Sequence, residues 1–256
     1  MNKIHIDSKP GHVWITGGGS GIGRSLALAM SREGRTVVIS GRNLPRLEAV
    51  AAQAQGAAII PLSVDVTDPE GLQEKVEEIE TQMGPIDLAF LNAGDYSPMP
   101  LDAFDTTLFR RLMEVNFLGV VNSLQALLPF MLPRRRGQIL ISASLSGYRG
   151  LPRAAPYGAS KAALINMAES LRPELQREGI NLRLINPGFV KSALTEKNDF
   201  HMPFLIDPEQ AAEEILKRLP GDNFEIAFPT PFALLLKLMR CLPYTLYFHF
   251  MQRLIR

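Results

Sequence analysis

Thr16-Gly17-Gly18-Gly19-Ser20-Gly21-Ile22-Gly23 is the stretch that decides the fold of this chain. It lies between an apolar run, Val13–Thr16, and a segment with helical periodicity, Ile22–Arg32. A glycine-rich loop joining a first strand to a first helix binds a dinucleotide pyrophosphate on the helix N-terminal amides. A plain turn could use the same glycines, but the first strand–helix junction favours a phosphate loop. We therefore expect phosphate contacts from Gly17, Gly19, Ser20, Gly21, Ile22 and Gly23.

The rest of the chain alternates short apolar runs with longer segments of helical periodicity. The predicted strands are Val13–Thr16, Thr36–Ser40, Ala58–Ser63, Leu88–Leu91, Gln138–Ser142, Asn181–Asn186 and Phe224–Phe228. The predicted helices are Ile22–Arg32, Leu44–Gln55, Pro69–Met83, Leu108–Met131, Tyr157–Arg177 and Pro208–Arg218. This alternation predicts a single doubly wound, Rossmann-like α/β domain. About seven parallel strands would form its central sheet, with helices on both faces. We expect the domain to span residues 1–228, with 229–256 as a helical extension of it.

The end of the second predicted strand bears on the choice of cofactor. Enzymes that use NAD usually carry a carboxylate there, which binds the ribose 2′-hydroxyl. This chain instead reads Ser40-Gly41-Arg42-Asn43, and the Arg42 guanidinium could bind a 2′-phosphate with Asn43 beside it. Arg42 could also be a solvated arginine in a turn. Because no acidic residue follows the strand, we expect NADP(H) rather than NAD(H).

Tyr157-Gly158-Ala159-Ser160-Lys161 is the most informative pentapeptide for chemistry. Positions four apart share a helix face, so Tyr157 and Lys161 should point into the same space. A free tyrosine titrates at about pH 10, and a nearby ammonium group favours the phenolate. Ser144 follows a predicted strand and could donate a hydrogen bond to a substrate oxygen. From position alone, Ser142 or Ser146 would serve equally well.

These motifs together resemble the short-chain dehydrogenase/reductase family. The glycine loop fits that family's T-G-x-x-x-G-x-G pattern rather than the G-x-G-x-x-G of other dinucleotide-binding dehydrogenases. The family also has a serine, then a glycine three residues later, and a tyrosine thirteen residues after the serine. This pattern selects Ser144, with Gly147 and Tyr157 in register.

Further cofactor contacts are implied by the same resemblance. Asp65 and Val66 match the position beside the adenine ring, and Asn92-Ala93-Gly94 matches a signature at the end of the fourth strand. Pro187-Gly188-Phe189-Val190-Lys191-Ser192 resembles a P-G-x-V-x-T turn under the nicotinamide, with serine in place of threonine. The residues implied there are Pro187, Gly188, Val190 and Ser192.

The resemblance also implies a mechanism. Tyr157 would exchange a proton with the substrate oxygen while Ser144 stabilises the charge that develops there. Lys161 would bind the nicotinamide ribose and lower the pKa of the tyrosine. Asn116 would lie in a distorted helix whose backbone carbonyl holds a water beside Lys161. The implied reaction interconverts a carbonyl and a secondary alcohol, without a metal.

Composition and charge narrow the class of protein further. A formal net charge of +1 gives no reason to expect a nucleic-acid partner. Cys241 is the only cysteine, which rules out an intrachain disulfide and favours a reducing, cytoplasmic location. Residues 1–11 lack the apolar core of a signal peptide. No uncharged apolar stretch reaches the roughly 18 residues of a membrane span.

Two segments stay open to more than one interpretation. In Asn198–Ile206, where the family commonly has a substrate lid, Phe200, Met202 and Phe204 point to a lipophilic substrate or merely pack the loop down. The tail from Pro231 to Arg256 is apolar with only basic charges, and Pro243 should divide it into two helices. It could lie on an anionic membrane, cover the substrate cleft, or pack against a second subunit.

A homodimer is the expected assembly, because family members commonly pair through helices corresponding to Leu108–Met131 and Tyr157–Arg177. The sequence does not divide the apolar residues of these helices between core and interface; they are Val120, Leu124, Leu127, Leu164 and Met167. A cofactor-binding sensor or scaffold is the alternative to an enzyme. A sugar-nucleotide epimerase would need a longer C-terminal substrate domain.

Overall fold

The structure, a computed structural model, describes residues 11–200 and 202–254. Within them, seven parallel strands form one sheet in the order β3-β2-β1-β4-β5-β6-β7. The strands are β1 (His12–Thr16), β2 (Val37–Gly41), β3 (Ile59–Ser63), β4 (Ile86–Leu91), β5 (Gly137–Ser142), β6 (Ile180–Pro187) and β7 (Glu225–Phe228). Every strand begins and ends within two residues of its predicted position, which confirms the predicted Rossmann-like fold. Residues 1–10, where no signal peptide was expected, lie outside the described residues.

Helices cover both faces of the sheet. They are α1 (Gly21–Arg32), α2 (Leu44–Ala51), α3 (Pro69–Glu78), α4 (Thr106–Met113), α5 (Gly119–Arg134), α6 (Ala155–Arg177), α7 (Pro208–Arg218), α8 (Thr230–Arg240) and α9 (Tyr244–Leu254). Helices α1, α2 and α7 enclose one apolar core, while α3, α5, α6 and α8 enclose the other. The C-terminal helix α8 is therefore part of the packing of the domain.

Three predicted helices differ from those observed. The one predicted as Pro69–Met83 ends as an α-helix at Glu78 and continues as a π-helical turn over Ile79–Met83. The second predicted helix ends at Ala51 rather than Gln55, because the chain turns so that Gly56 packs against the backbone of Ser31. The helix predicted as Leu108–Met131 is two helices, α4 and α5, joined by a π-helical turn at Glu114–Leu118. A π turn adds one residue to the helical repeat and changes which side chains face the core.

One helical stretch has the length and hydropathy of a membrane span, contrary to the sequence-based expectation. It is Thr106–Arg134, the continuous run of α4, the π turn and α5. Its side chains Val120, Leu124 and Leu127 are buried in the core beside the sheet. The stretch is therefore accounted for as a core helix of this fold.

The parallel arrangement fixes where a site can form. The carboxyl ends of all seven strands lie at one edge of the sheet. The strand order reverses between β1 and β4, since β1 continues to β2 on one side and β4 to β5 on the other. In doubly wound sheets ligands bind in the crevice outside this reversal point. The glycine loop after β1 and the segment after β4 form the two sides of this crevice.

Candidate active site

The loop between β1 and α1 requires its glycines. Gly17 and Gly21 have φ angles of 68° and 53°, in the left-handed region that favours glycine. A Cβ at Gly23 would lie 2.5 Å from the carbonyl oxygen of Gly17, so only glycine lets the loop fold back onto the helix. Ser20 makes no side-chain capping hydrogen bond to the first turn of α1. Helix N-terminal amides without a side-chain cap can receive an anionic group.

Thr16 holds the two sides of the crevice together, and sequence reasoning did not assign it a role. Its side chain is buried, and Oγ1 accepts hydrogen bonds from the backbone N–H groups of Asn92 (2.9 Å) and Ala93 (3.0 Å). The Asn92 side chain donates back to the carbonyl of Gly17 at 3.4 Å. Asn92 and Ala93 therefore brace the glycine loop, and the signal was the position of Thr16 at the carboxyl end of β1.

The end of β2 carries Arg42 as predicted, but with an acidic neighbour that the sequence did not reveal. Arg42 is exposed, and its NH1 lies 4.0 Å from Oδ2 of Asp65 after β3. The other Asp65 oxygen accepts hydrogen bonds from the N–H and hydroxyl of Thr67. Asn43 caps α2 by accepting a hydrogen bond from the N–H of Arg46 at 3.0 Å. Its side chain is thus already bonded within the protein.

Arg46 is a second cation at this end of the crevice that sequence reasoning missed. A Cβ placed at Gly19 would lie 3.3 Å from Cδ of Arg46, so the arginine stem runs over the phosphate loop. Val66, predicted beside the adenine ring, is buried against Gly119 of α5. Its carbonyl accepts a hydrogen bond from Asn122.

Tyr157 and Lys161 lie one turn apart at the start of α6, as their spacing predicts. The Lys161 side chain is buried, and its Nζ donates a 2.8 Å hydrogen bond to the carbonyl of Ser142 at the end of β5. Nζ is also 5.6 Å from the centre of the Tyr157 ring. A Cβ at Gly94 would lie 3.7 Å from this nitrogen, which places the Asn92-Ala93-Gly94 segment beside the ammonium group.

Burial shifts both titratable groups away from their ordinary pKa values. It raises the pKa of the Tyr157 phenol to about 12, although the Ser144 hydroxyl acts in the opposite direction. It lowers the pKa of the Lys161 ammonium to about 8. Desolvation of the phenolate is the main cause of the raised tyrosine pKa. The lowering of that pKa by Lys161 stays a prediction. At neutral pH the phenol carries its proton.

Ser144 is the serine that faces Tyr157. It is buried at the start of a short 3-10 turn, Leu145–Gly147, and its Oγ accepts hydrogen bonds from the N–H and hydroxyl of Ser146. Gly147 is in close contact with α6, since a Cβ there would lie 2.9 Å from the carbonyl carbon of Lys161. The serine loop and the tyrosine helix are thus fixed against each other.

Asn116 lies inside the π-helical turn, so the helix is distorted there as the resemblance implies. The side chain is fully buried and pairs with the backbone of Asp95: Oδ1 accepts from its N–H at 2.7 Å, and Nδ2 donates to its carbonyl at 3.0 Å. Nδ2 also donates to the Ser160 hydroxyl at 3.0 Å. The amide therefore joins the segment after β4 to α6.

The turn after β6 reaches the phosphate loop. Pro187 is the last residue of β6, and the N–H of Gly188 donates to the carbonyl of Phe228 at 2.7 Å. Val190 forms a parallel bridge with Ile206. Ser192 comes within 3.8 Å of the position of a Cβ at Gly21, which places its hydroxyl group near the phosphate loop.

Tyr96 forms one wall of the reacting centre, and the sequence analysis did not assign it. Its ring lies edge-to-face on Tyr157, with 5.0 Å between the ring centres. Its hydroxyl donates a 2.6 Å hydrogen bond to Oδ1 of Asn198 in the lid segment, and its carbonyl accepts from Lys197. The lid is further held by an ion pair between Asp199 and Arg153. The only signal for Tyr96 in the sequence was its position two residues after the Asn92-Ala93-Gly94 motif.

The arrangement is that of a dinucleotide-type crevice with a tyrosine–lysine centre, and the comparisons with known proteins name its family. Residues 11–202 match the short chain dehydrogenase family. The chain is 37% identical over 235 residues to an uncharacterized oxidoreductase of Myxococcus xanthus, covering 91% of this chain and 93% of that protein. It is 32% identical to an uncharacterized oxidoreductase of Staphylococcus epidermidis, covering 80% and 89%. The chain belongs to the short-chain dehydrogenase family and is an oxidoreductase of that family.

Solved structures share the fold. A short-chain dehydrogenase from Streptomyces avermitilis superimposes with a TM-score of 0.79 at 25% identity, covering 89% of this chain and 91% of the other. An alcohol dehydrogenase from the archaeon Thermococcus sibiricus, complexed with 5-hydroxy-NADP, gives 0.78 at 24% identity, covering 86% and 96%. A short-chain dehydrogenase from Sphingobium yanoikuyae in complex with NADPH gives 0.78 at 22%, covering 92% and 97%.

The buried ammonium group can be measured directly. In the protein labelled with 13C at lysine Cε, we expect one NMR signal to titrate with a pKa of about 8. Below pH 8 this signal should report the charged form and above it the neutral amine. It should be missing in Lys161→Met, and a wild type in which every lysine titrates normally would contradict the burial of Lys161.

Proposed function

We propose that the protein is an NADP(H)-dependent oxidoreductase that interconverts a carbonyl and a secondary alcohol, with Tyr157 transferring the proton. The observation that carries the proposal is the meeting of Tyr157, Ser144 and Lys161 at the strand ends beside the glycine loop. A bound nicotinamide dinucleotide would supply or accept the hydride. The residues described above provide the proton, the positioning and a site for the phosphates.

The glycine loop fits such a cofactor. A Cβ at Gly17 would lie 2.9 Å from Cα of Ala93, so the narrow space between loop and strand end excludes larger residues. The first turn of α1 contains no acidic residue that would repel a pyrophosphate. Ser192, beside Gly21, is the proposed contact from the opposite side.

Proton transfer in the reductive direction requires a protonated phenol. Because burial raises the pKa of Tyr157 to about 12, its hydroxyl group holds the proton that a carbonyl oxygen would take. Ser144 would donate a hydrogen bond to the same oxygen as negative charge develops. In the oxidative direction the phenolate must form, and the adjacent ammonium group of Lys161 would stabilise it. Asn116 would keep the proton path beside Lys161 in place through its pairing with Asp95.

The substrate is proposed to be lipophilic. Tyr96 covers the Tyr157 ring, and the lid segment carries the half-exposed rings of Phe200 and Phe204. Phe200 also contacts Phe189, so these rings both pack the lid down and leave apolar surface at its outside. Aromatic and aliphatic side chains around a site favour an apolar ligand that makes few polar contacts.

The first test is of the proton donor. Tyr157→Phe should lower the rate of carbonyl reduction by about 10²–10⁴-fold, because the phenol is the general acid. NADPH binding, measured by fluorescence titration, should be retained. Lys161→Ala should weaken both binding and turnover. Substantial carbonyl reduction by the Tyr157→Phe variant would contradict the proposed role of Tyr157. The substrate for this assay is chosen by testing a panel of ketones for NADPH oxidation by the wild type.

The second test is of the cofactor preference. Arg42 is exposed and its ion pair with Asp65 is long, so the guanidinium can turn to a 2′-phosphate. Arg42→Ala should weaken NADPH binding by about tenfold to a hundredfold, the loss expected for a charge-assisted hydrogen bond, with little effect on NADH. Arg46→Ala should act in the same direction, since its stem lies over Gly19.

Arg32→Ala is the matched control, because Arg32 is exposed at the far end of α1. It should leave both affinities unchanged. Equal losses of NADPH and NADH affinity in Arg42→Ala would contradict the proposal, as would a wild type that prefers NADH.

We also propose a homodimer through α5 and α6. Of the apolar residues that the sequence left undivided, Val120, Leu124, Leu127 and Leu164 are core and only Met167 is partly exposed. Phe117, Leu128, Phe130 and Leu171 in the same helical segments are also partly exposed. Such a half-exposed apolar strip on two helices suits a partner with the same strip.

The dimer is tested by light scattering. The wild type should have twice the 28.3 kDa mass of the chain. Leu128→Glu should shift it to the monomer, because a carboxylate would be desolvated at the contact. Leu44→Glu, at a partly exposed position of α2 on the opposite face of the sheet, is the control and should stay dimeric. A wild type that is monomeric at every concentration would refute the proposal.

A further inference from the structure

We propose that the outward sides of α8 and α9 form a docking surface for a bilayer containing anionic lipid. The bilayer would lie against these helices and the neighbouring substrate lid. This docking is independent of the reaction proposed above and can fail or succeed separately. A second copy of the chain is the competing occupant of the same surface.

Both C-terminal helices are apolar on two sides. Their inner sides are already used: Phe232 and Leu236 of α8 and Tyr247 and Met251 of α9 are buried against the domain. The outer sides carry a second set of large apolar residues that are 47–72% exposed: Leu234, Leu235, Leu238, Tyr244, Leu246, Phe248 and Phe250. Single exposed apolar residues are ordinary, but a group this dense on two consecutive helices marks an interaction surface.

The charges on these helices favour an anionic bilayer as the partner of this surface. Residues 229–256 contain no aspartate or glutamate, and their only charged residues are Lys237, Arg240, Arg253 and Arg256. Lys237 pairs with Glu225 of β7. Among the described residues, the exposed Arg240 and Arg253 have no ion-pair partner. Uncompensated cations beside exposed apolar side chains match the surface of an anionic bilayer.

A second copy fits these charges less well. A two-fold symmetric contact brings the same surface of both copies together. Arg240 and Arg253 would then face the same basic segment of the other copy, which contains no carboxylate. An anionic headgroup provides that opposite charge. An open cleft of about 470 Å³ at the corner between α8 and α9, lined in part by Arg149 and Arg240, offers such a group a recess.

The surface is held in place by the rest of the molecule. Arg149 donates hydrogen bonds from one nitrogen to the carbonyls of Met239 and Leu242 at the end of α8. Its guanidinium lies 3.9 Å from the ring centre of Tyr247 in α9. The Tyr247 hydroxyl also bonds to the carbonyl of Gly150. The two helices are therefore fixed to the domain on their inner side.

The docking surface continues into the substrate lid. The half-exposed ring of Phe204 stacks on Phe232 of α8 at 5.7 Å. Phe189 also stacks on Phe232 and contacts the half-exposed Phe200. Exposed apolar surface thus runs from α8 to the lid above Tyr157, and docking would bring the entrance of the cleft to the lipid.

The helices lie on the bilayer and do not cross it. Each has 11 residues, or about 16 Å at 1.5 Å per residue, which is about half of the hydrocarbon thickness. Interfacial binding of this kind depends jointly on apolar burial and on attraction to anionic headgroups. It therefore weakens when either contribution is removed.

The test uses the full chain labelled with acrylodan at Cys241, the only cysteine, which is exposed at the end of α8. Vesicles of equal parts phosphatidylcholine and phosphatidylserine should shift the emission to the blue and pellet the protein at low salt. Vesicles of phosphatidylcholine alone should bind at least about tenfold less, since the headgroup attraction is lost. High salt should act in the same direction.

Two variants separate the contributions. Leu234→Gln with Leu238→Gln and Phe250→Gln should lower vesicle binding at least about tenfold, through loss of apolar burial. Arg240→Glu with Arg253→Glu should lower binding to the anionic vesicles by at least a similar factor. Both variants should keep wild-type turnover of a small water-soluble ketone. Leu101→Gln with Leu132→Gln, which changes exposed leucines elsewhere, is the matched control and should bind normally.

The proposal is overturned if the labelled protein stays in the supernatant with unshifted emission in the presence of anionic vesicles at low salt. It is also overturned if the triple glutamine variant loses self-association in light scattering but still binds vesicles as the wild type does. A second copy would then be the occupant of the surface. Loss of turnover in Tyr157→Phe has no bearing on vesicle binding, so the two proposals fail independently.

Discussion

Lys161 carries its ammonium group into the interior of the protein, where a hydrogen bond to the Ser142 carbonyl holds it. Taking such a group out of water is costly, and the lowered pKa of about 8 expresses that cost. The cost is tolerated only where polar groups are fixed around the nitrogen. The Ser142 carbonyl therefore has to stay beside the nitrogen, and this bond fixes the end of β5 against the start of α6. The chain at Gly94, after β4, lies close to the same nitrogen.

The π-helical turn is the second half of that arrangement. Asn116 can reach Asp95 and Ser160 together because the extra residue of the turn rotates its side chain into the interior. A buried amide with all these partners is expensive to disturb, since breaking one bond leaves a buried polar group unsatisfied. Asn116 thus fixes the chain after β4 relative to the helix that carries Tyr157. Tyr96, one residue beyond Asp95, lies on the Tyr157 ring for the same reason.

The sequence predicted the parts of the structure that depend on local pattern. Buried parallel strands are apolar along their whole length, so all seven could be located, and Tyr157 and Lys161 could be placed on one face from their spacing. The ends of α2 and the division of α4 from α5 could not, because packing against Ser31 and the pairing of Asn116 decide them. The direction of the Tyr157 pKa shift was also beyond local pattern, since it depends on how much of the ring other segments cover.

Contacts between residues far apart in sequence account for the candidate site residues that were missed. Tyr96 meets Asn198 across 102 positions, and Arg149 meets Leu242 across 93. Neither contact could be predicted, because no periodicity or motif in the sequence indicates it. Arg46 was overlooked for a related reason: its closeness to Gly19 is a consequence of the packing of α2 against the glycine loop.

The C-terminal helices show why the boundary of a family match need not be the boundary of a site. The match ends at residue 202, yet three consecutive residues of the loop between Ser144 and Tyr157 contact the chain beyond residue 202. Tyr148 bonds to Glu225, which pairs with Lys237 of α8; Arg149 holds the end of α8; and Gly150 bonds to α9. This loop is fixed on its inner side by Gly147 against α6. On its outer side the loop is bonded to α8, α9 and the chain at Glu225. The extension therefore helps to hold the chain between Ser144 and Tyr157 in place.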